Sequence, residues 1–96
     1  MSLSSIDAKL GILRTILTHS TTYPYAVGSL DVREISISNN ATSGKLTVTI
    51  TLKSDSSTVA IPVEAGKNFS SRVYPISSIT TSGANTDFEI ALFERG

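Results

Sequence analysis

The sequence predicts a mainly β protein, a six-stranded antiparallel β-sandwich or jelly-roll-like barrel with one N-terminal α-helix. Three observations carry that expectation. The stretch Lys45-Leu46-Thr47-Val48-Thr49-Ile50-Thr51-Leu52-Lys53 puts an apolar residue at every even position and threonine or lysine at every odd one. A period of two marks a strand with one buried face and one wet face. Serine and threonine account for 28 of the 96 residues, and threonine suits strands while serine suits turns. Short apolar runs separated by turn formers recur from residue 30 onward, as in sandwiches and small barrels.

Residues 4 to 18 read as the helix. Ser4 is a suitable N-cap, and Asp7 follows it as a shortened capping-box acid. Ile6, Leu10, Leu13 and Leu17 recur at the i, i+4, i+7, i+11 spacing of one helical face. Ile16 widens that face, while Gly11 weakens the helix by roughly 1 kcal/mol relative to alanine. A lone helix of this length is marginal in water. Its apolar face therefore needs a partner, either the sheet of its own chain or a second subunit.

Residues 19 to 29 connect the helix to the sheets, with Tyr23-Pro24-Tyr25 extended because proline disfavours helix before it. Strands are expected over 30–38, 45–53, a third carrying Val59, Ile61 and Val63, 68–76, 78–81 and 87–94. In the first of these, Leu30 and Val32 have the opposite parity to Ile35 and Ile37. A bulge near Arg33-Glu34 would restore a common facing. Pro62 lacks a donor, so the third is expected to be an edge strand or to pair on one side only there. The expected inward set is Val32, Leu46, Val48, Ile50, Leu52, Val59, Ile61, Val63, Phe69, Val73, Phe88, Ile90 and Leu92.

Ninety-six residues make one globular unit, divided into the helix and connector (1–29) and the β-sandwich (30–96). There are no cysteines, so disulfides and thiolate chemistry are excluded. Eight basic residues balance eight acidic ones, which gives no electrostatic footprint for nucleic acid. The N-terminus lacks the charged and apolar regions of a secretory leader, and no apolar stretch approaches the roughly 20 residues of a membrane helix. A soluble protein made in the cytoplasm is expected, with no membrane or nucleic-acid partner.

Candidates for chemistry are few. His19 is the single histidine, and as a general base it would need a serine and an orienting acid. At a helix end it would instead interact with the dipole. Asn85, Asp87 and Glu89 alternate along one strand face and could offer oxygens to calcium, but they lack the EF-hand pattern. No glycine-rich phosphate loop is present. Neither a cofactor nor a metal is expected, and catalysis is not expected either. Tyr23, Tyr25 and Tyr74, with Arg72 near the last, could contact a nucleic acid or a surface glycan. Asn40-Ala41-Thr42 and Asn68-Phe69-Ser70 match the glycosylation triplet, as chance allows in so hydroxyl-rich a chain. Phe93 has the opposite parity to Phe88, Ile90 and Leu92 and should lie on the outer face. With Ile6, Leu10, Leu13 and Leu17 it forms the candidate interface.

The second half of the chain resembles a pattern found in small virion proteins of tailed bacteriophages. It is carried by Leu46-Thr47-Val48-Thr49-Ile50, Val59-Ala60-Ile61-Pro62-Val63-Glu64-Ala65-Gly66, Val73-Tyr74-Pro75-Ile76, Thr80-Thr81-Ser82-Gly83 and Phe88-Glu89-Ile90-Ala91-Leu92-Phe93. These are strands and turns rather than a catalytic signature, and the N-terminal helix stands outside the pattern. The resemblance implies a non-enzymatic structural piece of a virion: a capsid decoration protein, a fibre or spike base, or a tail component. Its partners would be other virion proteins and further copies of itself, with a trimer favoured. The alternative from another class is a small carbohydrate-binding β-sandwich module using the tyrosines.

Overall fold

The computed structural model describes residues 12–83 and 86–94. Eight strands run in chain order: β1 (Ile12–Thr18), β2 (Tyr25–Ala26), β3 (Val32–Asn39), β4 (Leu46–Leu52), β5 (Thr58–Val63), β6 (Asn68–Arg72), β7 (Ile76–Ser82) and β8 (Phe88–Glu94). They form two antiparallel four-stranded sheets, in the order β1-β8-β3-β6 and β2-β7-β4-β5. The pairing is nested, since β4 pairs with β5, β3 with β6, β2 with β7 and β1 with β8. The chain is thus one long hairpin wound into two layers.

Two expectations are corrected. The helix over 4–18 is absent from its described part, because residues 12–18 form β1 against β8; residues 4–11 lie outside the described residues. The described residues form eight strands rather than six, with β1 and β2 added at the edges of the two sheets. The reason lies in Ile12-Leu13-Arg14-Thr15-Ile16-Leu17-Thr18 itself, which is rich in β-branched residues. Its register against β8 shifts between Leu13 and Thr15, so Arg14 is the extra residue of a bulge. Once the bulge is allowed for, the segment alternates as a strand and Leu17 lands in the core at 2% exposure. Helical spacing and a bulged strand share these apolar positions, and pairing with β8 decides between them.

Other expectations hold. The register of β3 against β8 shifts between Val32 and Glu34, and Val32, Ile35 and Ile37 are all fully buried. Strand β5, with Pro62, is the outer strand of its sheet. Strand β4 alternates as its sequence predicts, with Leu46, Val48 and Ile50 inside. The core also takes in Val27, Ile76 and Ile79. Burying each such aliphatic side chain contributes about 1.5–3 kcal/mol.

Cross-strand partners share a face, so the register maps each surface. The outer face of the β2-β7-β4-β5 sheet carries Thr47, Thr49 and Thr51 beside Ser78, Thr80 and Ser82, with Thr58, Ala60 and Pro62 on the far strand. None of these residues is charged, and seven of the chain's 28 serines and threonines sit here. Gly83 follows, with φ +115° and room for no side chain: a Cβ would come within 2.7 Å of the Lys45 carbonyl oxygen.

Asn39 closes one end of the sandwich. It is the buried polar side chain of the core, at 1% exposure. Its Nδ2 donates to the carbonyls of Val63 (2.8 Å) and Gly44 (3.0 Å), and its Oδ1 accepts from the Ala41 amide. Its backbone donates to Lys67 and accepts from Gly66. The loop after β3 and the β5–β6 turn are thereby stitched together, which satisfies groups that would be costly to bury alone.

Candidate functional site

Two apolar surfaces stand out, at opposite edges of the β1-β8-β3-β6 sheet. On its outer face, the register aligns the rows Leu13–Phe93–Glu34–Arg72 and Ile16–Ala91–Ser36–Ser70. The Ser36 and Ser70 hydroxyls lie 2.9 Å apart, as the second row requires. The face is therefore apolar along β1 and β8 and polar along β3 and β6. Leu13 and Ile16 are each 49% exposed, and Phe93 is half-buried beside them. Just beyond the patch, Arg14 Nε donates to Glu94 Oε1 at 2.7 Å while the Asp31 amide donates to Oε2 at 2.8 Å. Partly exposed contacts of this kind contribute little energy, but they hold the bulge against the end of β8.

Of the predicted interface residues, Leu13 and Phe93 are thus direct cross-strand partners on the outer face. They meet through strand pairing and not through a helical stripe. Leu17 belongs to the chain's own core and does not reach that surface. Ile6 and Leu10 lie outside the described residues. Ile16, expected only to widen a helix face, is a central member of the patch; its parity becomes readable only once the Arg14 bulge is known.

The second surface is a groove of about 500 Å³ between β5 and β6, the edge strands of the two sheets. The floor is Ile50 and Ile61, the walls Leu52, Val59, Phe69 and Val73, and the rim Arg33, Ser71, Arg72 and Tyr74. Every wall residue belongs to the expected inward set. Val59 pairs with Ile50 and Phe69 with Ile37, so both face the interior. They nevertheless remain 45% and 37% exposed. Their facing matches expectation but the sandwich does not close over them. Arg33 Nε donates to Asp31 at 2.9 Å, and that bond raises the guanidinium pKa above its usual value.

The remaining candidates are dispersed. His19 sits exposed in the turn after β1, with its ring edge-on to Phe88 at 6.5 Å. Tyr23 donates its hydroxyl to the Thr18 carbonyl at 2.8 Å, and burial pushes its phenol pKa up despite a lowering contact with Thr21. Tyr25 is half-buried on β2, at the far edge of the molecule from Tyr74, which is 77% exposed at the groove rim. The three tyrosines do not form one platform. Asp87 immediately precedes β8, Glu89 is the second residue of that strand, and Asn85 lies outside the described residues. Among the described residues, no three His, Cys, Asp or Glu side chains are grouped to hold a metal.

Fold and surfaces together define a β-sandwich protein with an apolar outer edge and an open lateral groove. No family model, curated protein or solved structure matches the chain.

Proposed function

We propose that this chain is a non-enzymatic structural protein that assembles as a symmetric oligomer, and that within this class it is a virion component of a tailed phage. The observation that carries the reading is the outer-face patch of Leu13, Ile16, Ala91 and Phe93. Side chains of this size facing solvent in a small domain mark an association surface. The nested strand order supports a jelly roll, an architecture common to capsid and lectin domains. The virion assignment rests on the resemblance over residues 46–93.

Light scattering on the eluting protein is the test. A closed oligomer is expected, a trimer first among the candidates, and Leu13→Asp should convert it to a monomer that keeps its β-sheet circular dichroism. A wild-type monomer at high concentration would remove the assembly reading. Of the three tyrosines on which the carbohydrate-binding alternative relies, Tyr74 alone is exposed. An empty glycan array would end it.

A further inference from the structure

We propose that the groove between β5 and β6 receives residues 5–10 of a second copy of the chain, added as a strand to the outer edge of β6. This deepens the assembly reading and rests on its premise that copies associate. It uses a different surface, at the other edge of the sheet from the Leu13–Phe93 face. The receiving side is built for a strand. Strand β6 ends its sheet, and all 5 of its residues are exposed. The Asn39 amide donates to the Lys67 carbonyl and the Val73 amide to the Arg33 carbonyl. Phe69 and Ser71, which lie between, therefore turn their backbone groups toward β3, and by alternation those of Asn68 and Ser70 point out from the edge. Such an edge is a template for another strand. Strand β5 is the poorer template, because Pro62 has no N–H to give. Beside β6 the two sheets leave an apolar groove of about 500 Å³, walled by Val59 and Phe69. A strand added there fills it with apolar residues at alternate positions.

The chain carries such a run. Ile6, Ala8 and Leu10 alternate with Ser5, Asp7 and Lys9, in residues outside the described ones. That is the period of a strand with one apolar face. Reach decides whose groove it enters. The position beyond β6 lies four strand spacings from β1, roughly 19 Å. Leu10 stands two residues before Ile12, the first residue of β1, and so within roughly 7 Å of it. The run therefore cannot lie along β6 of its own chain, but it can lie along β6 of another. One copy gives the strand and the next receives it, a head-to-tail contact that closes into a ring when its rotation allows.

The chain has no cysteine, so introduced ones report proximity without background. Full chains with Ala8→Cys are co-expressed with differently tagged chains carrying Val59→Cys on one groove wall or Ser71→Cys on the other, then mildly oxidised. A disulfide joining the two kinds of chain is expected with at least one wall. None is expected with Thr80→Cys, on the exposed outer face of the other sheet. Absence of the bond at both walls, or an equal yield at Thr80, would overturn the proposal. So would a disulfide closed within one chain that carries Ala8→Cys and Val59→Cys together, since the segment would then occupy its own groove. Light scattering supplies the second test. Ile6→Asp with Leu10→Asp should lower the mass from that of the oligomer to that of one chain, with the β-sheet circular dichroism retained. An oligomer that survives this pair but falls apart with Leu13→Asp would overturn the strand exchange and leave the outer-face reading standing. An oligomer that survives Leu13→Asp but not the pair would support the exchange and remove the outer face as the contact.

Discussion

The two edge strands of the β1-β8-β3-β6 sheet both expose large apolar side chains, for opposite reasons. On β1, Leu13 and Ile16 face outward beside Phe93 and Ala91, and among the described residues no second sheet lies over them. On β6, Phe69 faces inward, toward the core that Ile37 and Ile90 occupy, and is exposed because β5 does not close over it. The first is an apolar surface on the outer face of a sheet, and the second is a core left open on one side. Exposure alone does not distinguish them. Facing does, and facing follows from register.

The largest effect that can test this distinction lies within β1. Leu17→Asp would put an unpaired carboxylate into a core position that is 2% exposed. That costs several kcal/mol, enough to remove most of the stability of a domain this size. Leu13→Asp, four residues earlier on the same strand but 49% exposed, should cost less than about 1 kcal/mol of domain stability. Urea unfolding of the two variants checks the contrast. Equal losses would mean that residues 12–18 do not form the bulged strand and that their apolar residues share one buried face.

Next in size is Asn39, which sets where the open side begins. It ties Val63, at the end of β5, and Gly66-Lys67, ahead of β6, to the end of β3. The two strands are held together at that turn, and the groove lies toward their other ends, at Val59 and Arg72. Asn39→Ala would leave the carbonyls of Val63 and Gly44 and the amide of Ala41 without this partner, at a cost of roughly 2–3 kcal/mol. Hydrogen exchange should show the loss concentrated at the β5–β6 turn. Loss spread evenly over both sheets would mean that Asn39 supports the whole core rather than pinning one end.

Much of this was legible in the chain before folding. The alternation of β4, the edge position of Pro62 and the bulge after Val32 each follow from residue type and parity. The N-terminal segment was not legible, because Leu13 and Leu17 satisfy a helical period and a bulged strand equally well, and a bulge leaves no composition signal when the extra residue is an ordinary arginine. The groove was half legible. Parity correctly turns Leu52, Val59, Phe69 and Val73 inward, but parity states which side of a sheet a residue occupies. It carries no information on how closely the edge of the opposite sheet approaches.

The smallest predicted effect concerns the far end of β5. The β4–β5 turn holds Ser56 at φ 61°, a left-handed conformation that costs a residue with a Cβ something to adopt. The Asp55 carboxylate offsets this by accepting from the Ser57 hydroxyl at 2.7 Å and the Ser57 amide at 3.0 Å. Those bonds, the hydroxyl's first, hold its pKa below the ordinary 3.8. A carboxyl with a depressed folded-state pKa contributes stability that is present above its unfolded value and is lost as pH falls through the folded value. Acidification from about pH 4 downward should therefore loosen this turn, and with it the end of β5 that carries Val59, while the end pinned by Asn39 stays closed. Amide exchange at Ser57 should accelerate relative to that at Lys67 over this range in the wild type. In Asp55→Asn, which keeps an acceptor but cannot titrate, the ratio should stay flat. Parallel pH curves for the two proteins would show that the turn is held by its backbone alone and that the carboxylate is incidental to the open end of the sandwich.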